Sequence, residues 1–128
     1  KRTVDKTYYA LLDGIIKQPT GQIDLPLRVD LDDRPRQMVC YDYGKRAITD
    51  FKVISVKKHK TLIEYHPLTG RTHQLRVHSA HQLGLGTPIV GDDLYGKPAD
   101  RLHLHAGKLT IKHPISKEMM TFEAEIPF

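Results

Sequence analysis

Turn-forming residues recur every few positions along most of this chain, and they leave room for only one sustained helix. Asp13-Gly14, the stretch from Pro19 to Gly21, Asp32-Asp33-Arg34-Pro35, Tyr43-Gly44-Lys45 and Pro67 to Gly70 all favour turns or loops. The runs between them are short. Thr7 to Leu12 is rich in strand formers. Ile23, Leu25, Leu27 and Val29 alternate, with Pro26 marking an edge strand or an extended loop. Ala47 to Val56 reads as a strand, and His59-Lys60 as the loop of a hairpin returning through Thr61 to Tyr65. Further short elements are expected at Ile89-Val90, Leu102 to His105, Leu109 to Ile111 and Thr121 to Ile126. The exception is Thr72 to Leu83. There Leu75, Ser79 and Leu83 fall four apart and Val77 and Ala80 three apart, with Thr72 as N-cap and Gly84 as the stop. One helix among many short strands predicts an α+β fold built on a mostly antiparallel mixed sheet.

The 128 residues suit one domain, with no repeat, low-complexity tract or linker to divide them. No apolar run approaches the roughly 20 residues of a membrane-spanning helix. The one cysteine, Cys40, excludes an internal disulfide framework and a Cys-based zinc site, and fits a reducing compartment such as the cytoplasm. A net charge of +5 is a weak footprint for a polyanionic partner. No Lys/Arg block reaches five, so such a partner would meet a folded surface rather than a basic tail.

Eight histidines raise the question of a metal. His78 and His81 lie three apart on the expected helix, and His103 and His105 two apart on an expected strand. Zinc needs three or four ligands in tight geometry, and neither H-E-x-x-H nor a second cysteine is present, so no metal is expected. The densest chemistry is Gly70-Arg71-Thr72-His73-Gln74-Leu75-Arg76-Val77-His78. Its arginines, at the start of a helix, suit phosphate or carboxylate recognition. Pro88-Ile89-Val90-Gly91-Asp92-Asp93-Leu94-Tyr95-Gly96 offers two acids beside turn glycines, and turn chemistry explains them without catalysis.

These segments, with Arg101-Leu102-His103-Leu104-His105-Ala106 and Lys112-His113-Pro114 after them, stand in an order that resembles the C-terminal half of the RluA family of RNA pseudouridine synthases. Upstream, Lys6-Thr7-Tyr8-Tyr9-Ala10 is similar to the family's K-x-Y-x-A strand. Asp24-Leu25-Pro26-Leu27, Arg34-Pro35-Arg36-Gln37 through Cys40-Tyr41, and Gly44-Lys45 resemble the RluA subgroup, which acts on large-subunit ribosomal RNA and in its best-known member also on transfer RNA. The resemblance implies a cofactor-free isomerase in the pseudouridine synthase catalytic fold. In such enzymes an aspartate breaks the uridine glycosidic bond and the base is rejoined through carbon.

By the same resemblance, Tyr8 stacks on the target base and accepts the proton at carbon 5. Arg76 pairs with the aspartate, with Arg71 as the alternative, and Leu75 forms the apolar wall of the base pocket. Arg71, His73 and Gln74 are expected to face RNA. The chemistry is consistent: a flipped base needs an aromatic face to replace its lost stack, and an arginine keeps a carboxylate nucleophile ionised. The family's aspartate lies in an H-R-L-D motif ahead of the K-x-Y-x-A strand, where this sequence has only Lys1 to Asp5. Arg28-Val29-Asp30 imitates R-L-D but follows Tyr8. Residues 1–128 are therefore expected to form the C-terminal portion of the catalytic domain, inactive alone because the nucleophile is absent. A non-catalytic RNA-binding module is the alternative, and a histidine metal protein a third. A monomer is expected, with a sheet edge open to self-association.

Overall fold

The computed structural model describes residues 2–112, 119–123 and 125–128. The elements run β1 (Arg2–Leu12), β2 (Thr20–Asp24), β3 (Leu27–Val29), β4 (Gln37–Val39), β5 (Ile48–Lys57), β6 (Lys60–Pro67), α1 (Gln74–Ala80), β7 (Leu104–Lys112) and β8 (Met119–Glu123). Six strands form one sheet in the order β2-β5-β6-β1-β7-β8, and β3 and β4 form a separate two-stranded ribbon. Every described pairing is antiparallel. This is the α+β fold with one helix that the turn spacing predicts.

The sheet has one well-buried face. Successive strand side chains point to opposite sides, so Ala10, Leu12, Ile63, Tyr65 and Phe51 gather on a common face across β1, β6 and β5. Ile23 from β2 and Leu75 from α1 complete this core. Burying a side chain of this size is worth roughly 1.5–3 kcal/mol, which outweighs the weak helix-forming capacity of a segment as short as α1.

Several boundaries differ from expectation. The Ile23–Val29 run is two strands, because Pro26 lacks the N–H that an unbroken ladder would need. Pro19 to Gly21 is not a turn throughout: β2 starts at Thr20, and Gly21 faces Phe51, whose ring would lie 2.8 Å from an added Cβ. Leu102 to His105 and Leu109 to Ile111 fall largely within the single strand β7. Ile89 makes only an isolated bridge, to Leu12. In the last expected strand β8 ends at Glu123, and Ala124 lies outside the described residues, as do His113 and Pro114.

The helix is shorter than 72–83 at both ends. His73, not Thr72, occupies the N-cap, at φ 54° and ψ 20°, and no side chain caps it. His81 leaves the helix in extended conformation, so Gly84 belongs to the turn beyond. Buried polar contacts hold α1 against the sheet. Gln74 Nε2 donates to Thr49 Oγ1 at 2.9 Å, and the Thr49 hydroxyl passes its own proton to His78 Nδ1 at 2.9 Å. His78 Nε2 donates to the Leu25 carbonyl at 3.0 Å. Tyr65 and Ser79 join their hydroxyls across the same contact.

His78 is fully buried, and burial holds its pKa below the ordinary histidine value of 6.5. The unfolded chain takes up a proton below about pH 6.5 that the native state resists, so stability is complete above that value and falls as pH drops beneath it. The urea midpoint of the full-length protein is expected to decrease from about pH 7.5 to about pH 5.5, and a His78→Gln variant to lose most of that slope.

Candidate active site

Tyr8 sits near the middle of β1, itself central in the sheet, opposite Tyr65 on β6 and Ala106 on β7. The register against β7 shifts between Thr7 and Tyr8, leaving Gly107 as the extra residue. A Cβ at Gly107 would strike the Tyr9 ring, so a glycine is what lets the strand bulge here. Bulges re-aim side chains and are common beside active sites.

The half-buried Tyr8 lines a cleft of about 300 Å³. Its other walls include Lys6, Leu104, Gly70 and Arg71, and the helix-start residues His73 to Arg76. Tyr8, Leu75, Arg71, His73, Gln74 and Arg76 are thus brought to one place, from strand, loop and helix. The volume lies at the small end of the roughly 300–1,000 Å³ typical of ligand sites. No carboxylate lines the cleft among the described residues.

Arg76 is held by the segment after Pro88. Its side chain is 15% exposed, and Asp92, with no exposed surface, binds it in bidentate fashion: Nη2 donates to Oδ1 at 2.6 Å and Nε to Oδ2 at 3.1 Å. Asp93 Oδ1 lies 3.2 Å from Nη2 on the solvent side. Asp92 Oδ1 also accepts from the backbone N–H groups of Leu94 and Tyr95, each at 3.1 Å. Burial pushes the Asp92 carboxyl up, but these hydrogen bonds outweigh it and hold the pKa below the usual aspartate value. The Asp92 bond raises Arg76 in turn. Turn chemistry accounts for the Asp92 backbone contacts, as expected from sequence; its hold on Arg76 was not anticipated. A signal was present in the sequence, since Arg76 and Asp92, each in one of the two motifs, lie only 16 residues apart.

Gly91 shapes that segment. It adopts φ +82°, and an added Cβ would run into the Arg101 carbonyl. The segment is tied to β1 by bonds from Asp13 N to Pro88 O, at 2.8 Å, and from Val90 N to Leu11 O, at 2.8 Å. The strand that carries Tyr8 therefore also anchors the loop that carries Asp92.

His73 and Tyr95 form the remaining wall. Tyr95 Oη accepts from Gln37 N–H and meets His73 Nδ1, both at 2.8 Å. Burial first, and then the Arg76 charge, lower the His73 pKa. The Arg76 guanidinium lies 5.4 Å from the centre of the Tyr95 ring. Tyr95 and Lys6 lie in motifs quoted from the sequence but were given no role there.

Gln74 is buried. Besides its bond to Thr49, Nε2 donates to Ile48 O at 2.9 Å, while Oε1 accepts from Thr69 Oγ1 at 2.7 Å and from Arg71 N–H at 3.0 Å. Its amide is saturated within the protein, and it shapes the turn before α1. Arg71 is exposed, and its Nε donates to Arg46 O at 2.8 Å. Among the described residues no group of three or more His, Cys, Asp or Glu side chains is arranged to hold a metal. No helix among them is long and apolar enough to cross a membrane.

Residues 1–81 match the family described as RNA pseudouridylate synthase. The chain is 47% identical over 136 aligned positions to the dual-specificity RNA pseudouridine synthase RluA of Haemophilus ducreyi, covering 99% of this chain and 60% of that protein. It is 45% identical to the protein of the same name from Yersinia pestis, covering all of this chain and 64% of that one. The chain thus spans about three fifths of the length of these relatives. The solved structure of human RNA pseudouridylate synthase domain containing 1 superposes with a TM-score of 0.82 at 32% identity, over 97% of this chain and 55% of that one. On these matches the chain belongs to the RNA pseudouridylate synthase family, in its RluA branch.

Proposed function

We propose that the full protein isomerises uridine to pseudouridine in structured RNA, and that residues 1–128 supply the base-holding wall of its active site. The observation that carries this reading is the small cleft joining Tyr8, Leu75 and Arg76, where no carboxylate intrudes among the described residues. Large-subunit ribosomal RNA is the proposed substrate, with transfer RNA as a second. The reaction is placed in the cytoplasm, in keeping with a single unpaired cysteine.

The roles follow from position. Tyr8, on a rigid central strand, stacks on the flipped uracil and accepts the proton leaving carbon 5. Leu75 packs against the base edge. An aspartate outside residues 1–128 displaces N1 of the base from ribose C1′, forming an ester; the released base turns, its carbon 5 displaces the carboxylate from C1′, and N1 takes up a proton as carbon 5 loses its own. Arg76 faces that aspartate with Nη1, which has no hydrogen-bond partner among the described residues, while Asp92 holds the opposite edge of the guanidinium. Arg71 and His73 contact the RNA from the rim. Gln74 is a positioning residue, because its saturated amide fixes the Arg71 backbone.

Tritium release from RNA labelled at uridine carbon 5 tests this. The full-length protein is expected to release tritium without added metal or cofactor, and residues 1–128 alone to release none. Release by residues 1–128 would refute the outside aspartate. RNA binding by the full-length protein without release would favour the non-catalytic module.

A further inference from the structure

A second cleft, about 640 Å³, opens beside the first between the β3–β4 ribbon and the loop before α1. The two share Gly70 and Arg71, which stand on the wall between them. Arg28, Lys45 and Arg71 bring three positive charges to the second cleft, and none of its lining residues is acidic. None of the three forms a salt bridge among the described residues. Arg71 has only its Nε committed, to Arg46 O. The Lys45 backbone is pinned by reciprocal bonds with Leu27, at 2.8 and 2.9 Å, so its ammonium projects from a fixed point. Tyr43 lines the same cleft, yet 76% of its surface is exposed. The Arg28 guanidinium lies 5.7 Å from the centre of that ring.

We propose that this cleft is a nucleotide subsite for the RNA next to the flipped uridine: Arg28, Lys45 and Arg71 grip its phosphodiesters and Tyr43 stacks on its base. The proposal rests on the first cleft being the uridine site. A base turned out of its stack stays joined to its neighbours by one phosphodiester on each side, so the strand must cross the rim of the pocket that receives it. Gly70-Arg71 is such a rim, and beyond it lies a cleft twice the size, suited to a whole nucleotide rather than a base. Cations interleaved with an exposed aromatic ring are the combination that binds single-stranded nucleic acid, whereas an acidic peptide gives no reason for Tyr43 to stand in solvent.

The test uses the full-length protein and an RNA stem-loop that it modifies. Lys45 and Tyr43 are exposed, and half-buried Arg28 donates to the carbonyl of its own neighbour Val29, so their substitution leaves the fold intact, which thermal melting would verify. Arg28→Gln with Lys45→Gln is expected to weaken RNA binding and flatten its salt dependence by about 0.7 in log–log slope for each phosphate no longer neutralised. Tyr43→Ala is expected to weaken binding about tenfold with the salt slope unchanged, as the loss of one base–aromatic stack requires. Millimolar inorganic phosphate should not displace the RNA; displacement by it would mean a free-phosphate site and overturn the proposal. Wild-type affinity and slope in the double variant would also overturn it, as would competition by poly-glutamate as effective as that by single-stranded RNA. Loss of tritium release by the wild-type protein would instead count against the uridine site itself, so the two failures are told apart.

Discussion

Replacing Asp92 with alanine is expected to destabilise the protein by about 3–5 kcal/mol, the cost of stranding a buried charge. Asp92 has no exposed surface, and its removal leaves the Arg76 guanidinium, at 15% exposure, without its bidentate partner. It also removes the acceptor for the Leu94 and Tyr95 N–H groups. Arg76→Met should cost less than Asp92→Ala, since it removes the cation and leaves Asp92 with its two backbone donors. In the double variant Arg76→Met/Asp92→Ala the costs should fail to add by roughly 1–3 kcal/mol, the coupling expected of a contacting pair. Urea denaturation of the four proteins gives the cycle. Additive values would mean that the two side chains do not depend on one another.

Tyr8→Phe is expected to lower the rate of pseudouridine formation by about 10²–10⁴-fold, the usual worth of a positioned general base. The ring remains, so the stack on the base survives and RNA affinity should change little. Tyr8→Ala should lose the rate and weaken binding as well, because a stacked base is worth about 1–3 kcal/mol. Single-turnover tritium release measures the first effect and filter binding the second. A Phe variant as fast as wild type would remove Tyr8 from the proton transfer and leave it only as a platform. The bulge at Gly107 gives a reason to expect a graded response, since the ring is aimed by the backbone and not by its own hydroxyl.

The sheet was legible because hairpin signals act locally. Lys58 and His59 take positive φ between β5 and β6, near the His59-Lys60 loop expected there. The gathering of Tyr8 with the Gly70–His78 segment was reached only through the order of motifs, since 61 residues lie between them and no periodicity spans that distance. Gln74 shows a different limit. A polar residue among arginines reads as surface, and only the converging Ile48, Thr49, Thr69 and Arg71 groups reveal a saturated buried amide. Asp92 was assigned to turn chemistry on sound local grounds, but a turn residue can hold a distant cation at the same time. The single αL residue before α1 was also out of reach, because histidine has little intrinsic preference for that conformation over a glycine or asparagine.

The position of β1 between β6 and β7 has a consequence on the time axis. Its amides near Tyr8 are bonded on both flanks, so their hydrogen exchange requires opening that approaches global unfolding. The opposite wall, from Leu68 to His73, is a surface loop whose exchange needs only local opening. The cleft therefore has a slow wall and a fast wall. A base entering it meets an aromatic surface that is already in place, and the adjustment falls to the exposed side chain of Arg71, whose backbone Gln74 fixes, on the picosecond-to-nanosecond scale of exposed rotamers.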